Sequence, residues 1–131
     1  MSQPPALAAW HRLVRTHDAA GLEALLAEDA VFHSPVVHTP QRGKAITARY
    51  LAAAFEVFFQ EGFRYVREVV QDRDAVLEFE VEIDGIHVNG VDLIRWDAHD
   101  RIVDFKVMIR PLQAINAVHA QMKAMLEKLQ G

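Results

Sequence analysis

The sequence predicts an α+β fold, and three observations predict it. Apolar residues recur at helical spacing up to Gly62 and again after Pro111, but alternate with period two from Phe63 to Arg110. Asp84-Gly85, a strong two-residue hairpin signal, sits in the middle of that alternating stretch. Helical and alternating segments are segregated along the chain, which favours helices packed on an antiparallel sheet over a parallel α/β arrangement.

Each element has a local reason. Pro4 and Pro5 open the first helix, where the N–H that proline lacks would find no partner anyway. Leu7, Trp10, Val14 and His17 follow at helical spacing, with Leu13 beside them. Asp18 is placed to cap a short second helix carrying Leu22, Leu25 and Leu26. Residues 30–33 read as a short strand stopped by Ser34-Pro35, and a polar loop then reaches Gly43. Ile46, Tyr50, Leu51, Ala54, Phe55 and Phe58 form one face of a third helix. Four strands follow, at 63–70, 75–83, 86–96 and 101–110. Asp72-Arg73-Asp74 joins the first two of these, and Asp97-Ala98-His99-Asp100 joins the last two as a type I turn, with Asp100 where glycine is easier. Leu112, Ile115, Val118, His119, Met122, Met125, Leu126 and Leu129 mark a long amphipathic C-terminal helix.

Composition narrows the function classes. A chain of 131 residues holds one domain, expected to span 1–131. The net charge is −4 and the Lys and Arg residues are scattered, so no electrostatic footprint for nucleic acid or an anionic membrane is present. No apolar run approaches the ~20 residues of a membrane span. Met1-Ser2-Gln3-Pro4-Pro5 lacks the basic and apolar regions of a signal peptide, so a cytoplasmic location is expected. The absence of cysteine excludes disulfides, thiol chemistry and Cys-ligated zinc. His11, His17, His87, His99 and His119 are scattered, and His33 with His38 has no metal-ligand spacing, so neither metal nor cofactor is expected.

The turns allow a register to be computed. A two-residue turn at Asp84-Gly85 sets Ile83 opposite Ile86, Phe79 opposite Gly90 and Leu77 opposite Asp92. A bulge at Asp100 pairs Asp97 with Arg101 and sets Trp96 opposite Ile102. Regular pairing onward sets Ile94 opposite Asp104 and Asp92 opposite Lys106. One face then carries Leu77, Phe79, Asp92, Ile94, Trp96, Asp104, Lys106, Met108 and Arg110. The other carries Glu78, Glu80 and Glu82, with an apolar half made of Val91, Leu93, Val103, Phe105, Val107 and Ile109. The glutamates cannot face a core, so the first face is expected beneath the helices. The apolar half of the second face is expected to form a homodimer through Val91, Leu93, Phe105 and Val107.

Asp92 is thereby expected among apolar side chains, where a carboxyl must pair or stay protonated. Two readings stand: an ion pair with Lys106 closing the rim of a pocket, or a functional carboxyl acting as donor when neutral and as base when charged. His33, beside Ser34 and followed by His38, is a candidate helper in acid–base work, or else a histidine bonded to backbone at the pocket mouth. Trp10, Tyr50, Phe55 and Trp96 are expected to line the core or the pocket. Arg110, at the end of the Asp92 face, is placed to hold an anionic group at the rim or to pair with Asp104 or Glu61.

The order of these features resembles a known family. The segment Ala27-Glu28-Asp29-Ala30-Val31, then Pro35, Gly43 opening a helix, and Val91-Asp92-Leu93-Ile94-Arg95-Trp96 before a turn are similar to ketosteroid isomerase. They also resemble the wider nuclear transport factor 2-like superfamily, with its SnoaL-like polyketide cyclases and limonene epoxide hydrolase. The resemblance covers residues 6–110 and implies a cone-shaped, curved antiparallel sheet wrapped by three N-terminal helices, with a pocket and often a dimer. The last helix is an addition to that pattern. By this resemblance Asp92 matches the oxyanion-hole aspartate, Trp10 stands where the helix-borne hydroxyl donor is expected, and Ser34 stands at the base position. An unassisted serine is too weak a base to replace a carboxylate. The implied function is an isomerase, cyclase or hydrolase acting on a small apolar molecule, with Asp92 as acid/base or oxyanion partner. The alternative is a non-catalytic ligand-binding or dimeric interaction module of the same fold.

Overall fold

The computed structural model describes residues 3–129. Helix α1 spans Pro5–Thr16, a single 3-10 turn Ala19–Gly21 follows, and α2 is the short Leu22–Leu25. Strands β1 (Leu26–His33) and β2 (Gln41–Arg42) precede α3 (Lys44–Phe58). The meander is β3 (Arg64–Gln71), β4 (Asp74–Ile83), β5 (Ile86–Trp96) and β6 (Ile102–Arg110), and α4 (Leu112–Leu129) closes the chain. Asp18 does cap, its side chain accepting the Gly21 N–H, but of the 3-10 turn. Leu26 is the first strand residue rather than the last of the helix, because it pairs with Ile102 of β6. The loop before Gly43 contains the two-residue β2, bonded to β1 at Val31 and Phe32.

The sheet is mixed and six-stranded, in the order β2-β1-β6-β5-β4-β3. Only the β1–β6 contact is parallel; the others are antiparallel. Helices cover one face. Their inward side chains join the sheet in one core containing Leu7, Trp10, Leu22, Leu51, Phe55, Leu77, Phe79, Ile94 and Phe105. Each such burial contributes about 1.5–3 kcal/mol. No helix among the described residues is long and apolar enough to cross a membrane.

The β4–β5 register is the expected one, with Ile83 opposite Ile86, Phe79 opposite Gly90 and Leu77 opposite Asp92. The β5–β6 register begins as expected: Asp97 N–H donates to the Arg101 carbonyl, Asp100 has φ 61°, and Trp96 faces Ile102. It then slips. Arg95 faces Asp104, leaving Val103 as an extra residue on β6. Because side chains alternate, one inserted residue exchanges the faces of everything beyond it. Ile94 therefore faces Phe105, Leu93 faces Lys106, and Asp92 faces Val107.

This corrects the expected faces of six residues together. Asp104, Lys106, Met108 and Arg110 lie on the outer face, away from Asp92. Phe105 and Val107 are buried inside, so they contribute nothing to an outer apolar patch. The outer face is instead built of cross-strand rows: Asp74–Arg95–Asp104, Val76–Leu93–Lys106 and Glu78–Val91–Met108. Arg95 bonds Asp74 at 2.8 Å, Arg64 bonds Glu80 at 2.9 Å, and Arg67 reaches Glu78 at 3.2 Å. These pairs are how the outer face carries its acidic residues.

Candidate active site

Asp92 is 6% exposed and, apart from Thr47, the sole polar side chain among the buried described residues. Its neighbours across the strands are Leu77 and Val107. Its place on the inner face follows from the Asp84-Gly85 hairpin, whose fixed turn length sets the alternation of β5. Lys106 is on the far side of the sheet and does not pair with it.

Asp92 is held by a residue that the sequence did not point to. Tyr65 Oη donates to Asp92 Oδ2 at 2.6 Å, and Trp10 Nε1 donates to Tyr65 Oη at 3.0 Å. Tyr65 faces inward because it pairs with Phe79; a bulge at Val66 then turns Arg67 outward opposite Glu78. The period of two puts Tyr65 on the face of Phe63, which is a usable signal. Its meeting with Asp92 needs its long side chain to reach across β4. Burial pushes the Asp92 carboxyl up to about 7, with the Tyr65 hydrogen bond pulling the other way. Burial and the adjacent Asp92 hold the Tyr65 phenol well above its ordinary range, so it remains a donor at neutral pH.

A small inner chamber of about 20 Å³ adjoins Asp92, room for one water. Its walls are Trp10 from α1, Leu51, Ala54, Phe55, Phe58 and Phe59 on and after α3, and Phe63, Phe79, Phe105 and Val107 from the sheet side. Ala54, Phe58 and Val107 also line an outer chamber of about 210 Å³. That chamber is bounded by Phe32, Ser34, Pro35, Val36, Val37 and Tyr50, and by Val118, His119, Met122, Lys123 and Leu126 of α4. The C-terminal helix is thus a wall of the outer chamber. Asp92 Oδ1 has no partner among the described residues, yet no fully buried side-chain oxygen there is left unpaired, so Oδ1 is not sealed in protein. Asp92 reaches the inner chamber.

The other expected residues separate into groups. Trp10 and Phe55 join Asp92 at the inner chamber, and Ser34 and Tyr50 line the outer one. Ser34 Oγ accepts the N–H groups of Val36 and Val37, which orients it toward its own turn. His33 is not beside Asp92. It follows the inward Phe32, so alternation turns it outward, where Nε2 meets Asp104 Oδ2 at 3.0 Å. Lys106, Met108 and His38 line a shallow open surface on that side. Arg110 is exposed and donates to Asn89 Oδ1 at 3.4 Å. Trp96 is buried opposite Ile102 and lines neither chamber. No cluster of three or more His, Cys, Asp or Glu suited to a metal occurs among the described residues.

Comparison with known proteins places this architecture. The family model of the SnoaL-like domain matches residues 7–105. The chain belongs to the SnoaL-like domain family. Within and around that family, a steroid delta-isomerase from Pseudomonas aeruginosa is 38% identical with a TM-score of 0.90, over 95% of this chain and 91% of that one. A protein with a cystatin-like fold from Silicibacter pomeroyi DSS-3 is 32% identical with a TM-score of 0.85, over 93% and 85%. A SnoaL-like protein from Shewanella denitrificans OS-217 shares the fold at 14% identity and a TM-score of 0.64, over 91% and 95%. No curated protein matches the chain. For this SnoaL-like chain the fold is therefore the curved, open sheet of the nuclear transport factor 2-like superfamily, with α4 added.

Proposed function

We propose that this protein is an enzyme of isomerase type, moving a proton on a small, largely apolar, unsaturated ketone, with Asp92 as the group that carries the proton. The observation that carries the reading is Asp92 itself: buried, open through one oxygen to an apolar chamber, and titrating at about 7. A proton carrier works best when its pKa lies near the working pH. The ionised carboxylate removes a proton from the carbon between carbonyl and double bond. The C–H electrons shift to form the dienolate, and the proton held by Asp92 returns at the far carbon, giving the conjugated ketone. One group suffices for both transfers, which suits a site where Ser34 offers no second base.

The 38% identity to a steroid delta-isomerase supports the reaction class. Chamber size argues for a smaller substrate: the outer chamber of about 210 Å³ falls below the roughly 300–1,000 Å³ of pockets for drug-sized ligands, and the substrate has to reach Asp92, which lines only the inner chamber of about 20 Å³, past the shared walls Ala54, Phe58 and Val107. The test is to present β,γ-unsaturated cyclic ketones of increasing ring number and follow the ultraviolet absorbance of the conjugated product. Turnover that Asp92→Asn lowers by about 10²-fold or more is expected. Equal turnover by the variant would remove Asp92 from the chemistry.

A further inference from the structure

The three side chains behind the inner chamber form a chain of hydrogen bonds with only one direction. The indole N–H of Trp10 can donate but never accept. Its contact with Tyr65 Oη at 3.0 Å therefore uses Tyr65 as acceptor. A phenol has a single proton, and at 2.6 Å it goes to Asp92 Oδ2. Oδ2 is thereby committed as an acceptor whether the carboxyl is charged or neutral. When Asp92 is protonated, its proton has to sit on Oδ1, the oxygen without a protein partner. Tyr65 does not line the inner chamber, whereas Asp92 and Trp10 do.

We propose that Trp10 and Tyr65 are positioning residues, a one-way relay that locks the Asp92 carboxyl and leaves Oδ1 as the one atom that exchanges a proton with a bound ligand. This rests on the isomerase reading for its reaction, and it assigns the ligand class at that site more narrowly. The ligand is neutral at the end that meets Oδ1. The inner chamber contains no Lys, Arg or His, so an anionic group there would be desolvated next to a carboxyl with no cation to meet it. His119 and Lys123 line only the outer chamber.

The surroundings of Asp92 contain no competing charge. From α3 come Leu51, Ala54, Phe55 and Phe58, from β4 Leu77 and Phe79, and from β6 Phe105 and Val107. Tyr65 is the polar group that bonds it, and Trp10 bonds Tyr65. Glu68 and His11 pair with each other at 2.6 Å beyond the Tyr65 ring, which His11 meets edge-on.

The experiment is a carboxyl-carbon NMR titration of the full chain, read at Asp92 and identified by its loss in Asp92→Asn. The wild-type midpoint is expected near 7. Tyr65→Phe removes the donor but keeps the ring, and is expected to raise the midpoint by about one pH unit. Replacing Trp10 by benzothienylalanine keeps the fused-ring shape without the N–H. It is expected to raise the midpoint by less, because Tyr65 keeps its proton but loses the contact that aims and polarises it. A purely structural role for either residue moves thermal stability and leaves the titration unchanged. An unchanged midpoint in Tyr65→Phe would overturn the relay. A shift in Tyr65→Phe with none in the Trp10 analogue would overturn the role of Trp10. Full ketone turnover by Asp92→Asn, with both shifts as expected, would sink the isomerase reading and leave the relay standing.

Discussion

Tyr65 and Asp92 lie 27 residues apart in the chain, and their oxygens meet at 2.6 Å on the helix-covered face of the sheet. They sit on strands that are not neighbours, with β4 between them. The phenol reaches across that strand from Tyr65, opposite Phe79, to Asp92, opposite Leu77.

The first prediction concerns stability. Burial raises the Asp92 pKa from 3.8 to about 7, so between these values the folded protein holds a proton that the unfolded chain has released. Stability therefore falls as pH rises through that window, and below about pH 4 the contribution vanishes. The loss approaches the order of 4 kcal/mol above pH 8, at about 1.4 kcal/mol per pH unit. Asp92→Asn, which retains an acceptor for Tyr65 and cannot ionise, is expected to melt well above wild type at pH 8 and close to it at pH 4. Thermal melts at both pH values decide it, and parallel curves would sink the assignment of a buried, raised carboxyl.

Gly90 is the second. It is buried opposite Phe79, and a Cβ placed there would stand 2.6 Å from Phe79 Cζ and 2.7 Å from the Met108 carbonyl oxygen. The carbonyl belongs to backbone and cannot swing aside. Gly90→Ala is expected to cost about 1–3 kcal/mol in denaturant unfolding and to displace the Phe79 ring that walls the inner chamber.

The third tests the corrected register. His33 and Asp104 pair on the outer face with side chains 25% and 41% exposed, so their attraction is largely screened. Asp104→Asn is expected to change stability by less than about 1 kcal/mol and to leave ketone turnover unchanged. A strong loss of turnover would return Asp104 to the site.

The fourth concerns association. Without Phe105 and Val107, the apolar part of the outer face is Val69, Val76, Val91 and Leu93 beside Met108, with Val69 55% and Met108 50% exposed. That strip is expected to be where a second copy docks. Light scattering should give twice the chain mass at micromolar concentration, and Met108→Lys should shift it toward the monomer. A wild-type monomer would rule the dimer out.

How much of this was legible in the chain depends on which residues are asked. The helices, the four meander strands and the hairpin at Asp84-Gly85 were legible because each rests on neighbours in sequence: a periodicity, a cap or a turn of fixed length. That hairpin also put Asp92 on the inner face, since alternation from a known turn has no freedom. The segment around β2 was not legible, because two residues bonded to β1 carry no periodicity of their own.

The site shows the same division. Composition and alternation by themselves determined an α+β chain with one carboxyl among apolar side chains. Only the tertiary structure decided what that carboxyl touches. The bulge at Val103 turned Lys106 and Asp104 away from Asp92, the pairing of β3 with β4 brought Tyr65 within reach of it, and the packing of α1 brought Trp10 to Tyr65. A bulge is one extra residue whose position depends on the twist and packing of the partner strand, which local sequence does not encode. Contacts between strands that are not neighbours depend on the shape of the whole sheet. The presence of a buried acid was therefore a property of the sequence, and its chemistry a property of the fold.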